Sequence, residues 1–186
     1  AHVHAQTLNW SDLGRSMGVA DTTVRHYLEI LEGALVVKLL RPWHTNLGKR
    51  EVKAPKAFIQ DTGLLHTQLG IETASDLEVH PRVGASWEGF AISEIVRSLG
   101  VRPDQAFFWG VHAGGELDLL IVRGKEKRGF EIKLSSAPGA TATARTALRD
   151  LKLDSLDIVH AGGETYPLGE RLRALSLSRL AQDLNR

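Results

Sequence analysis

Two carboxylates and a lysine lie close together in the second half of this 186-residue chain: Asp118, in Gly115-Glu116-Leu117-Asp118, then Glu131-Ile132-Lys133. Strands are expected over Leu117–Val122 and Phe130–Leu134, joined by a polar loop, Arg123–Arg128. Side chains alternate along a strand, so Glu131 and Lys133 share one face while Phe130, Ile132 and Leu134 take the other. A register with Val122 opposite Gly129 sets Asp118 across from Lys133 and residue 120 across from Glu131. Asp118, Glu131 and Lys133 then converge, and a one-residue slip separates them. Carboxylates are hard oxygen ligands suited to Mg2+ or Mn2+. Such an ion polarises a phosphoryl oxygen and lowers the pKa of a bound water. A lysine adds a compact positive charge for the phosphate or the attacking water. The plain alternative is a cross-strand ion pair worth about 0.2–1 kcal/mol, and spacing alone favours it.

Glu88 poses a related question. Ser86 to Leu99 reads as an amphipathic helix with an apolar stripe of Trp87, Phe90, Ala91, Ile95 and Leu99. Glu88 falls on one face with Ala91, Ile92 and Ile95. A carboxylate beside a core stripe needs a partner, since burying a lone charge is costly; a salt bridge or a metal would serve.

Other elements must hold these residues in place. After that helix, Phe107-Phe108-Trp109 is expected as a further strand; after Lys133 come a turn-rich link, Ser135–Gly139, and a helix over Ala140–Leu151. Arg145 and Arg149 sit one turn apart on that helix, beside a nucleic-acid groove or simply solvated. Leu156–His160 and Leu172–Leu177 read as strands and Ser178–Leu184 as a short helix, giving a sheet sandwiched between helices.

The first sixty residues follow a different pattern. Ser11 is expected to cap a short helix, Asp12–Met17, with Leu13 and Met17 inward. Gly18-Val19-Ala20 supplies a tight turn, and Asp21 caps a second helix with Val24, Leu28 and Leu31 at core spacing. Thr22, Thr23, Arg25, His26 and Glu29 fall on its outer face. Ala34–Leu40 and Ala57–Gln60 read as strands flanking a basic loop. This is the order of a winged helix-turn-helix, whose second helix enters the DNA major groove while the wing touches the backbone. Thr23, Arg25 and His26 are the candidate reading residues, and Lys49, Arg50 and Lys53 the candidate phosphate contacts. Such modules also dock proteins, which stays open. The domains are set at 1–65 (winged helix) and 66–186.

Composition narrows the classes. Basic residues number 23 and acidic residues 22, which excludes a chain basic throughout. The charge is nonetheless segregated: six basic residues against one acid from Lys38 to Lys56, then nine acids against three arginines from Asp61 to Asp118, then five basic against two from Arg123 to Lys133. That distribution suits a phosphate-handling surface beside an acidic site, or a solvated lysine-rich loop. With no cysteine, disulfides, cysteine-ligated metals and thiol nucleophiles are excluded. His2, His4, His44, His66, His80, His112 and His160 show no metal-ligand spacing. The opening residues have neither the basic start nor the apolar stretch of a signal peptide, and no run is long enough to span a membrane, so a cytoplasmic chain is expected. It begins at Ala1 and enters patterned sequence at once, from which a piece of a longer protein is expected.

In order, Gly84-x-x-Trp87-Glu88, Phe107-Phe108-Trp109, Gly115-Glu116-Leu117-Asp118 and Glu131-Ile132-Lys133 resemble the PD-(D/E)XK nuclease-like core. Nearly the whole chain is similar to the domain of unknown function at the C-terminal end of prokaryotic AAA-type ATPases. There a winged helix precedes the nuclease-like core, and Pro55–Leu64 matches the link between them. The resemblance implies an α/β (mixed α+β) core with a mixed central sheet flanked by helices. It implies Asp118 and Glu131 as ligands of Mg2+ or Mn2+, Lys133 as catalytic lysine and Glu88 as the helix-borne fourth member. It also implies a nucleic acid as partner, DNA above RNA, and an N-terminal ATPase domain. No G-x-x-x-x-G-K-[ST] loop occurs here, so ATP is not expected to bind in that way. Since a fold does not guarantee its chemistry, a non-catalytic DNA-binding or protein-docking module is the alternative, and a homo-oligomer is left open.

Overall fold

The computed structural model describes residues 1–44, 53–111 and 115–184. By its contacts the chain divides into two units, one of residues 1–41 and 54–89, the other of 42–53 and 90–186.

The first unit contains β1 (Gln6–Thr7), α1 (Trp10–Met17), α2 (Asp21–Gly33), β2 (Val37–Pro42, passing out of the unit at its end), β3 (Lys56–Ile59), α3 (Thr62–Leu69), α4 (Ala74–Val79) and the start of α5 (Val83–Ser98). Its strands are antiparallel in the order β1-β3-β2. Asn9 caps α1, its side chain accepting the Asp12 N–H at 3.2 Å. The cap is therefore two residues earlier than Ser11, because Ser11 already lies in the helix while Asn9 has the extended backbone that a cap needs. Gly14 is the buried residue of α1, and a Cβ there would stand 2.7 Å from the Val19 carbonyl oxygen. The close approach of α1 to the following turn thus requires glycine. Met17, expected inside, is exposed.

Leu8, Leu39 and Ala57 form one small core cluster in this unit, with Leu13 and Leu28 packed against it. Leu31, expected at core spacing, is 38% exposed. Arg41 ties β2 to α2 through Glu32, Nη2 to Oε2 at 3.1 Å.

His4 pins the start of the chain. Its Nδ1 accepts the Ile59 N–H at 3.0 Å, and its Nε2 lies 3.2 Å from the Ala85 carbonyl oxygen. The ring lies edge-on to Phe58 at 5.4 Å. Burial pushes its pKa from 6.5 down to about 4, and the Ala85 carbonyl, which favours the protonated ring, offsets only part of that.

The second unit continues α5 and adds β4 (Ala106–Gly110), β5 (Glu116–Arg123), β6 (Glu126–Lys133), α6 (Ala142–Asp150), β7 (Ser155–His160), β8 (Tyr166–Gly169), β9 (Leu172–Ser176) and α7 (Leu180–Asp183). The strand order is β4-β5-β6-β7-β9-β8. β6-β7 and β7-β9 are parallel and the other pairs antiparallel, so the sheet is mixed, as expected for an α/β chain. Ala144, Ala147 and Leu151 of α6 and its end pack on Trp109, Leu120, Leu156 and Ile158. Small alanines let that helix lie close to the sheet.

The β5–β6 hairpin is tighter than a six-residue loop. Arg123 pairs with Glu126, leaving a two-residue turn, and Gly124 takes φ +61° at its first position. Glycine there is what a primed hairpin turn asks for. The register follows: Val122 pairs with Lys127 and Leu120 with Gly129, two residues away from the expected pairing.

The depressed His4 pKa has a consequence for acid stability. Between pH 6.5 and about 4 the unfolded chain binds a proton at His4 that the folded chain does not, so its stabilisation is complete above that window and lost as pH falls through it. Thermal unfolding followed from neutral pH into that window is expected to show a falling midpoint, and a smaller fall in His4→Gln. An equal fall in both proteins would show that His4 is not responsible.

Candidate functional site

Asp118 sits at a break in the sheet. β4 pairs Phe107 with Leu120 but Trp109 with Leu117, so Asp118 and Leu119 together face the single residue Phe108. This is a bulge in β5, a device that re-aims side chains. On the other side, the β5–β6 ladder ends at Leu119–Phe130. The Asp118 carboxylate then accepts the Ile132 N–H through Oδ2 at 2.7 Å. It reaches the Glu131–Lys133 segment through a side-chain bond to the backbone, where the sequence reading expected Asp118 directly opposite Lys133.

Glu131 lies on the α6 side of β6 and is 4% exposed. Each of its oxygens has a partner: Lys133 Nζ lies 2.9 Å from Oε1, and the Thr141 hydroxyl donates to Oε2 at 2.9 Å. The Lys133 side chain is about half exposed. Alternation within β6 puts the carboxylate and the ammonium on one face, as their spacing predicts. Two carboxylates against one ammonium leave the cluster with net negative charge, and their hard oxygens suit a divalent cation. Among the described residues no group of three or more His, Asp or Glu side chains converges as a metal cage. The donor set fits Mg2+ or Mn2+ in the form where one or two carboxylates hold an ion that keeps several waters.

Glu88 is in the first unit. Ala91, Ile92 and Ile95, on its face of α5, are almost wholly buried, while Phe90 of the rival stripe is exposed. The carboxylate is therefore drawn inward, and Lys56 meets it, Nζ to Oε1 at 3.1 Å with the lysine side chain 6% exposed.

Thr141 is the residue that sequence reading missed. It caps α6, accepting the Ala144 N–H at 2.9 Å while donating to Glu131. The available signal was a threonine before an alanine-rich helical run, eight positions beyond Lys133.

The expected nucleic-acid residues meet mixed fates. Arg25 and His26 are exposed on α2 and Thr23 is partly so. The Arg25 guanidinium lies 4.4 Å from the Trp10 ring centroid and 4.0 Å from Asp21. Lys53 is exposed, whereas Lys49, Arg50 and also His112 lie outside the described residues. Among the described residues of the basic 38–56 segment, Arg41 is held by Glu32 and Lys56 by Glu88.

A mixed-sheet α/β domain with an Asp, Glu and Lys cluster on a central hairpin is the class that fold and site define. The chain belongs to the family described as Domain of unknown function (DUF4143), whose model matches residues 83–180. This is a domain type associated with the C-terminal part of AAA-type ATPases, which agrees at that level with the resemblance. A second model, Domain of unknown function (DUF8612), matches residues 1–75. Uncharacterized proteins of Mycobacterium bovis (Mb2031c) and Mycobacterium tuberculosis (Rv2008c) are each 42% identical over 180 residues, 97% of this chain. The chain spans 40% of the length of these relatives. No solved structure matches it. Among the described residues no helix is long and apolar enough to cross a membrane.

Thr141→Val removes both bonds of that hydroxyl and is expected to lower stability by about 1–2 kcal/mol, with Thr141→Ser close to the parent. Denaturant unfolding decides: equal loss in Val and Ser variants would remove the hydroxyl from the account.

Proposed function

We propose that this chain is the C-terminal module of an AAA-type ATPase, with a winged helix followed by a PD-(D/E)XK nuclease-like core that hydrolyses phosphodiesters in DNA. The observation that carries the reading is the Asp118 carboxylate bonded to the Ile132 N–H, between Glu131 and Lys133. Asp118 and Glu131 would hold Mg2+ or Mn2+, which when bound supplies Lewis-acid polarisation of the phosphoryl oxygen and an acidified water.

The chain's own groups do the rest. In hydrolysis a water oxygen bonds to phosphorus, one P–O ester bond breaks, and the leaving alcohol oxygen gains a proton. Lys133, anchored by Glu131 yet half exposed, presents its ammonium to a non-bridging phosphate oxygen, where negative charge grows in the transition state. Glu131 fixes that ammonium, and Thr141 fixes Glu131. Arg25, His26 and Lys53 supply positive charge for the DNA backbone.

Calorimetric Mn2+ titration followed by plasmid cleavage tests the site. Asp118→Asn and Glu131→Gln are expected to weaken Mn2+ binding at least about tenfold and to abolish cleavage. Lys133→Met is expected to bind Mn2+ and to cleave about 100-fold more slowly. Unchanged Mn2+ affinity in both carboxylate variants would overturn the reading.

One observation favours a second reading for the first unit. Tyr27, Ile30 and Leu31 fall at i, i+3 and i+4 on α2, and all three are exposed, as is Leu35 beyond the helix. Beside them runs a groove of about 280 Å3 lined by Leu28, Leu31, Val36, Phe58 and Leu64. An apolar helix face suits a protein surface better than a phosphate backbone, and on this second reading the unit docks the ATPase part instead of DNA. Salt separates the two, because phosphate contacts release counterions and give affinity a steep salt dependence. In the full-length ATPase, Ile30→Glu breaking the domain contact with DNA affinity intact supports docking; Arg25→Ala weakening DNA affinity with a reduced salt slope supports the winged-helix reading.

A further inference from the structure

His160 is the last residue of β7 and is fully buried. Parallel pairing sets it level with Lys133 on β6 and Ser176 on β9. Residues paired in this way leave the sheet on the same side, so His160 extends the Glu131–Lys133 row by one strand, about 4.8 Å away.

The ring's proton can be assigned. The Gly162 N–H, which only donates, is 3.1 Å from Nδ1. A nitrogen that accepts carries no proton, so the proton sits on Nε2. Among the described residues Nε2 has no hydrogen-bond partner. Buried donors are nearly always paired, and one that is not calls for an explanation such as a water or a functional role.

Loose packing is not the explanation. A Cβ at Gly162 would stand 1.9 Å from the Ser136 carbonyl oxygen. The Ala161 N–H donates to Ser135 O at 3.0 Å, and the Tyr166 hydroxyl to Pro138 O at 2.9 Å. The segment leading from Lys133 to Thr141 is thus clamped against the loop after β7, and both of its ends hold Glu131. Hydroxyls crowd the same corner: Ser176 Oγ donates to Gly162 O at 2.5 Å and lies 2.9 Å from Ser178 Oγ. A buried spare donor beside this clamped segment calls for a partner, and a single water, which bonds two to four polar groups, supplies one.

We infer that His160 is a positioning residue of this site: its Nε2–H holds a buried water that bonds β7 to the Lys133–Thr141 segment and so fixes Lys133 and Thr141 about Glu131. The role of the site rests on the reading above; the water and its effect on Lys133 do not.

The test compares His160→Gln, whose amide nitrogen can replace the Nε2 donor, with His160→Leu, which fills the space without one. In wild-type protein, NMR is expected to show an Nε2-bound proton with a cross-peak to bound water. The Lys133 ammonium resonance is expected to shift in the leucine variant and to hold in the glutamine variant. Mn2+ affinity is expected to fall about tenfold in the leucine variant and to stay near wild type with glutamine. Absence of the water cross-peak, or an unmoved Lys133 resonance in His160→Leu, overturns the inference. If His160→Leu does not fold, the cross-peak and a Lys133 resonance unmoved in His160→Gln decide it. Wild-type protein that binds no Mn2+ would sink the metal reading alone, and the two NMR observations would still judge His160.

Discussion

The second unit is organised around one buried carboxylate. Glu131 sits in the middle of a sheet at 4% exposure, where an uncompensated charge would be costly. Its two partners lie at the two ends of one connection, Lys133 closing β6 and Thr141 opening α6. A single side chain therefore fixes where the strand stops, where the helix starts and how the segment between them is closed. The packing of α6 follows, since Thr141 also caps the helix whose alanines lie on Trp109 and Ile158. Asp118 completes the arrangement by taking the Ile132 N–H beside a bulge where the regular ladder has ended.

The first unit solves a similar problem with different residues. Glu88 stands on the buried face of α5, and Lys56, the first residue of β3, meets it. An ion pair this far from water gains little net stability, because desolvation offsets much of the attraction, yet losing one partner is expensive. The pair thus fixes how α5 registers against β3 more than it adds to stability. It also takes a lysine out of the basic segment that looked available to phosphates. Counting charges along the sequence overstated the positive surface, because the count cannot tell a lysine in a wing from a lysine in a core.

What could be read from the sequence depended on parity and period. The β4, β5, β6 and β7 segments, helix α5 and the glycine-turned helix pair were all legible, since each carries its own apolar pattern. The β5–β6 register differs by two residues from the expected one because Arg123–Arg128 reads as a polar loop, whereas Gly124 turns the chain within two residues. Glu131 and Lys133 share a face whatever that register is, because they alternate within the single strand β6. The bulge at Asp118 left no trace in the residue pattern, being a property of pairing with Phe108. Thr141 stayed hidden for a related reason: a cap that also bonds a carboxylate ten residues earlier is set by tertiary structure. β8 has no strand pattern in Tyr166-Pro-Leu-Gly, and it is an edge strand, where that proline is tolerated.

The burial of Glu131 also bears on what its surroundings are for. A fold alone does not need an acid and a lysine at the end of a central strand. Leucines of similar volume would pack on α6 without desolvating any charge, and such exchanges are often neutral or stabilising. Placing the pair there costs stability that the sheet itself does not require. The lysine, moreover, is not buried with its partner: Glu131 is inside while half of the Lys133 side chain faces water. Here a buried carboxylate, held by Thr141 as well, orients an ammonium whose side chain is half open to solvent.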